Sequence, residues 1–151
     1  MPHKLPISVL VVIYTPELDV LLLERADKAG FWQSVTGSKD TLDETPELTA
    51  HREVLEETGI DSQQHQLSDW QLSNIYEIYP VWRHRYAPGI TQNTEHVFGL
   101  CVPREISVTL AEREHLRYQW LSINEAADLC FSASNAEAIL QLRERVNQSK
   151  Q

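Results

Sequence analysis

The chain has 151 residues, 42% of them hydrophobic, enough for one domain over residues 1–151 that buries about 68–70% of its unfolded surface. With 22 acidic against 13 basic side chains the formal net charge is -9, which disfavours DNA or RNA and leaves a small phosphorylated ligand, bridged to carboxylates by divalent cations, as the compatible charged partner. Cys101 and Cys130 are too few for a disulfide framework and lack zinc-site spacing, and no apolar run reaches the roughly 18 residues of a membrane span, so a cytoplasmic protein with core cysteines is expected.

The first element in chain order is the Val- and Ile-rich run Ile7–Tyr14, a buried strand rather than a leader, since Thr15-Pro16-Glu17 turns the chain and no small-residue cleavage site follows. Residues 20–23 are its expected hairpin partner. Charged residues 24–28 with Gly30 read as a loop, and residues 31–36 as a short strand ending at Gly37. Thr45-Pro46-Glu47 opens a helix, with Thr as N-cap, Pro at the first position and acid in the first turn. Gly59 supplies its stop. Beyond it, residues 72–81 and 83–86 are predicted strands, Ala87-Pro88-Gly89 a turn and residues 95–102 another strand. Trp120-Leu121 is a short strand, Ile123–Leu129 a helix, and residues 135–146 a second helix with Ile139, Leu140, Leu142 and Val146 on its apolar side. The sequence contains no internal repeat, low-complexity tract or linker.

On the helix closed by Gly59, taking about 100° per residue from Glu53, Glu57 falls near +40° and Glu56 near -60°, so three carboxylates share one arc. Leu48, His51, Val54 and Leu55 lie roughly opposite, where a core-facing stripe is expected, and His51 reads there as a satisfied core residue. Like charges at these spacings cost about 0.2–0.5 kcal/mol per pair, a cost that a hard divalent cation removes. Taken alone, an EVLEE run is more often a solvated acidic face than a metal site. The six histidines have no metal-ligand spacing.

The wider string GSKDTLDETPELTAHREVLEETGI decides between these readings, because it closely resembles the Nudix hydrolase signature. Gly37, Glu44, Arg52, Glu53, Val54, Glu56, Glu57, Gly59 and Ile60 occupy its specified positions. Six residues rather than the usual five separate Gly37 from Glu44, and Leu42-Asp43 stands where a glycine is customary, so the loop carries one extra residue. The resemblance implies an α/β/α sandwich with a mixed sheet between helices. It also implies Mg²⁺, with Mn²⁺ as a substitute, held by Glu53, Glu56, Glu57 and the Gly37 carbonyl. Glu53 or Glu57 would orient or deprotonate the water, and Arg52 and Glu44 would complete the catalytic loop-helix-loop as its paired charges.

Outside the signature, HKLPISVLVVIY, FWQSVTGS, RHRYAPG, NTEHVFGL and EHLRYQWL resemble the branch of this family that releases pyrophosphate from dihydroneopterin triphosphate, a folate precursor, and from dATP. That implies a small-molecule triphosphate partner, no nucleic-acid polymer, no membrane, and a monomer or weak dimer. Lys4, Arg25 and Thr36 would then meet phosphates, or else be surface cations and a strand threonine. Tyr76 and Ile78 would border a flat ring with Glu77 at its edge and Tyr79 nearby, or else be core. Glu114 would bring one more carboxylate to metal, water or substrate. Ser132 would touch the ligand or cap a helix. Arg83-His84-Arg85 reads as local charge compensation. Two alternatives remain: a dinucleoside polyphosphate hydrolase, for which a tyrosine downstream of the signature such as Tyr76 is a marker, and a nucleotide sensor without catalysis, although sensors typically lose signature glutamates and all are present here.

Overall fold

A computed structural model describes residues 3–149. Strand β1 (Ile7–Tyr14) is central because every second side chain finds an apolar layer. Val9, Val11 and Ile13 pack with Ala50 and Val54 of helix α1 (Pro46–Thr58), and Leu10, Val12 and Tyr14 pack with Ile123, Ala126, Ala138 and Ile139 on the other face. Those last residues belong to α2 (Ile123–Leu129) and α3 (Ala133–Leu140). The result is the expected mixed sheet between helical layers.

The hairpin of β1 with β2 (Val20–Arg25) closes only at Tyr14 and Val20. Beyond that pair the strands part. On one side β1 takes β4 (Val35–Ser38) as an antiparallel neighbour and β6 (Gln92–Cys101) as a parallel one, and β5 (Gln66–Glu77) runs antiparallel to β6. On the other side β2 pairs antiparallel with β3 (Trp32–Gln33) and β7 (His115–Leu121).

Several expectations are corrected. The strand predicted for 31–36 is two strands, broken at Ser34, which is buried and bonded through its amide to Asn135 Oδ1 at 2.8 Å. Glu24 and Arg25, expected in a loop, extend β2 because β7 supplies a partner, and β7 itself reaches back to His115 rather than only Trp120. β5 ends at Glu77, and residues 83–86 are no strand: Pro80 fixes the backbone at the start of a 3₁₀ turn, Pro80–Arg85. The last predicted helix begins at Ala133 and breaks at Gln141, giving α3 and α4 (Leu142–Ser149). On α1 the buried face is Thr49, Ala50, Val54, Glu57 and Thr58, whereas Leu48 and Leu55 are 55% and 54% exposed. The carboxylate arc therefore adjoins the core-facing side instead of opposing it. His51 is half-buried and hydrogen-bonded to Ser62 Oγ. Cys101 and Cys130 are free and only partly buried.

Candidate active site

Helix α1 is set by its own caps. Thr45 Oγ1 accepts from the Leu48 amide at 3.2 Å, and Gly59 closes the helix in the left-handed region, φ 74°, donating its N–H to the Leu55 carbonyl. The loop before it is tied to the helix through Arg52. Its Nε and Nη2 form a fork on Glu44, both at 2.9 Å, while Nη2 also reaches the Ser38 carbonyl and Nη1 donates to Glu53 Oε1 at 2.7 Å. Glu44 further accepts from the Asp40 amide and Thr49 Oγ1, and the Arg52 guanidinium is the main reason its carboxyl falls to about 2. Residues 40–43 of this loop, which include Leu42-Asp43, are exposed. Gly37 remains packed so closely on Glu53 that a Cβ there would lie 2.1 Å from the carboxyl carbon.

One turn along, Glu57 is 1% exposed and its Oε1 lies 3.5 Å from His115 Nε2. No donor among the described residues reaches Glu57 Oε2, and His115 Nδ1 is likewise without a partner. Glu114, held in a turn by amide bonds to Ala111 and Ala26, completes a group in which one ligand atom each of Glu57, Glu114 and His115 lies within 4.8 Å of the others. Burial pushes the Glu57 pKa well up, and the adjoining Glu53 carboxyl adds to the rise, followed by Glu114 and Glu56. Burial likewise raises Glu53, against the pull of Glu57 and Arg52. His115 falls to about 4, chiefly through burial and then through Arg25, so its ring is neutral at physiological pH. A buried carboxyl crowded by the half-buried Glu53 and the exposed Glu114 beside a neutral imidazole, with Glu57 Oε2 and His115 Nδ1 unpaired, fits a divalent cation. Glu56 is separate: its side chain is 53% exposed, it sits 3.6 Å from Arg52 Nη1, and it does not line the cleft described next.

Gly37, Glu53, Glu57, Glu114 and His115 line a cleft of roughly 830 Å³. Lys4, Arg25, Thr36, Tyr76, Glu77, Ile78, Tyr79 and Ser132 all line it too; Arg52 and Glu44 stand behind it. Some of these side chains are already engaged. Arg25 forks onto Asp27 at 2.8 and 2.7 Å, and its guanidinium lies 4.5 Å from the Trp82 ring centre. Arg85 joins the same Asp27 at 3.1 Å and accepts the Lys4 amide on its carbonyl, so Asp27 gathers the cations of this wall. The Thr36 hydroxyl donates to the Val9 carbonyl and is not free to donate to a phosphate. Ser132 is the N-cap of α3 as well as a cleft residue. Tyr76 and Ile78 do not flank a ring by strand alternation, because β5 ends between them and Ile78 is 3% exposed. The ring-sized wall is instead Tyr79 stacked on Trp82 at 5.2 Å, with Phe131 edge-on to both at 6.2 Å.

His115, Asp27, Trp82 and Phe131 were not singled out by sequence. Only His115 carried a signal, its adjacency to Glu114.

A family model for the NUDIX domain matches residues 4–142. The chain is 46% identical over 142 residues to the dihydroneopterin triphosphate diphosphatase of Escherichia coli K12, covering 92% of this chain and 93% of that one. It is 44% identical to the Haemophilus influenzae protein of the same name, covering 92% and 88%. The solved structure of the E. coli dihydroneopterin triphosphate pyrophosphohydrolase superposes with a TM-score of 0.87 at 46% identity, over 93% of this chain and 97% of the other.

Proposed function

The chain belongs to the Nudix hydrolase family, and from that membership we propose that it releases pyrophosphate from dihydroneopterin triphosphate, and from dATP as a second substrate, with Mg²⁺ as the working ion and Mn²⁺ as a substitute. The observation that supports this reading is one cleft lined by two unlike groups: Glu53, Glu57, Glu114 and His115, and the aromatic cluster of Tyr79, Trp82 and Phe131. A carboxylate cluster without an aromatic wall suits any polyphosphate. The two together, in a chain with these relatives, suit a triphosphate carried on a flat heterocycle.

In this reading Glu53, Glu57 and Glu114 hold the cation with the Gly37 carbonyl and His115, and Glu56 contributes negative potential from outside the cleft. When bound, the cation lowers the pKa of its water and neutralises charge on the phosphoryl oxygens. Arg52 and Glu44 fix Glu53 in place, and Glu53 or Glu57 aligns the attacking water by hydrogen bonding. Lys4 and the Asp27-bound pair Arg25 and Arg85 supply positive charge along the phosphate path. Among the described residues no helix is long and apolar enough to cross a membrane; a cytoplasmic monomer or weak dimer belongs to the same proposal.

The test is product identification with purified protein. Dihydroneopterin triphosphate, dATP and diadenosine tetraphosphate are supplied with Mg²⁺, with Mn²⁺, or with EDTA. Pyrophosphate and dihydroneopterin monophosphate, formed only with metal, are the expected products. Preferential formation of two nucleotides from the diadenosine compound, or no turnover of the pterin, overturns the reading.

A further inference from the structure

At the cleft lie two buried polar side chains that the metal chemistry does not use. Asn93 and Glu95 alternate along β6, so both face the layer of α3, and they are 2% and 4% exposed. The Asn93 amide donates both hydrogens, to Ser8 Oγ at 2.7 Å and to the Tyr76 hydroxyl at 3.1 Å. That fixes the amide and leaves Oδ1 as a buried acceptor with no donor among the described residues. Glu95 accepts from Ser134 Oγ at 3.1 Å, which leaves other lone-pair directions on the carboxyl free to accept. Asn93, Glu95, Tyr79, Trp82 and Phe131 all line the one cleft. A cleft that holds both stacked aromatic rings and fixed acceptors is suited to a flat ring whose edge carries N–H donors.

We propose that Asn93 and Glu95 read the amino-bearing edge of the substrate's heterocycle, the exocyclic NH₂ donating to Asn93 Oδ1 and to the Glu95 carboxyl. The inference rests on the cleft being the triphosphate site proposed above. It accounts for two substrates with different ring systems, because pterin and adenine both carry an exocyclic amino group. Hypoxanthine has an oxygen at the position of adenine's amino group, which would set acceptor against acceptor. A site built to satisfy a donor rejects the analogue lacking it far more strongly than an apolar pocket does.

The experiment compares dATP with dITP, which share sugar and phosphates, on the unaltered protein with Mg²⁺, alongside dihydroneopterin triphosphate. The expected result is kcat/KM at least about thirtyfold higher for dATP, mostly through KM. Equal values overturn the proposal, even when the pterin is hydrolysed and the proposed function stands. Rejection of dITP together with no turnover of the pterin supports the edge contact while removing the pterin assignment. In Glu95→Gln one acceptor becomes a donor, and the dATP to dITP ratio falls to within about threefold. A Glu95 that only ties α3 to the sheet through Ser134 would leave that ratio unchanged, and that outcome also overturns the proposal.

Discussion

Glu57 Oε1 and His115 Nε2 face each other at 3.5 Å inside the protein, one from the signature helix and the other from the first residue of β7. The imidazole is neutral and the carboxyl has a raised pKa, so the pair is no salt bridge in the absence of metal. A raised carboxyl pKa means that the folded state holds this proton more tightly than the unfolded chain. Stability is therefore expected to fall as pH climbs from the ordinary carboxylate value of 4.5 towards the raised one. Neutral His115 acts in the opposite sense only up to its ordinary value of 6.5, so melting curves from pH 6.5 to 8 in EDTA should show Tm dropping while folded Glu57 keeps the proton that the unfolded chain has lost, with Mg²⁺ restoring it. A flat EDTA profile that magnesium does not move would remove Glu57 from the metal site.

Substituting Glu57 by Gln separates stability from activity. The amide has no charge to bury, so Tm in EDTA at pH 7.5 should rise or hold, and the magnesium-induced shift should shrink. Turnover should drop by at least about a hundredfold, as for loss of a positioned catalytic group. Near-normal kcat would refute its role.

Gly37 tests the closeness of strand and helix. In Gly37→Ala the new methyl would lie 2.1 Å from the Glu53 carboxyl carbon, so that carboxylate must swing away. Because Glu53 is held by Arg52, the displacement should weaken Mg²⁺ activation about tenfold or more and lower kcat about a hundredfold. A magnesium titration of the pyrophosphate-release rate checks both, and an unchanged activation curve would show that Glu53 does not need this position.

The Arg52 fork is a stability prediction. Lysine keeps the charge but loses the two parallel bonds to Glu44 and the reach to the Ser38 carbonyl. Arg52→Lys should cost about 1–3 kcal/mol in urea unfolding, the usual size for a partly buried charge-assisted bond. A loss below roughly 0.5 kcal/mol would mean that the fork behaves as an exposed ion pair.

How much of this was legible in the sequence follows from where each residue's partners lie. Arg52, Glu44, Glu53 and Glu57 sit within fourteen residues of one another, so linear spacing encodes their geometry, and the helix bounds follow from Thr45 and Gly59. Apolar periodicity marks the side of Leu48 and Leu55 as the buried one, yet both are exposed. The helix instead packs through the smaller Ala50 and Val54, and its carboxylate arc turns into the cleft. After Glu77, Ile78, Tyr79, Val81 and Trp82 suit a strand, while Pro80 commits the chain to a turn. Asn93, Glu95, His115, Trp82 and Phe131 meet only through strand register and the placement of α3, which no local pattern in the chain contains.

Trp82 gives the sharpest test of the aromatic wall. Its indole is stacked on Tyr79, lies edge-on to Phe131 and carries the Arg25 guanidinium 4.5 Å from its ring centre. Removing it in Trp82→Ala takes away aromatic surface worth about 0.5–1.5 kcal/mol per ring contact beyond its area, and it frees Arg25 on one side. Arg25 keeps its fork on Asp27 when the indole is gone, so the positive charge facing the phosphates is retained. KM for dihydroneopterin triphosphate should therefore rise about tenfold or more while kcat changes little, and the hydrolysis of inorganic triphosphate, which has no ring, should be insensitive to the change. A fall in kcat with KM unmoved would place the heterocycle elsewhere and leave Tyr79, Trp82 and Phe131 as packing for the 3₁₀ turn.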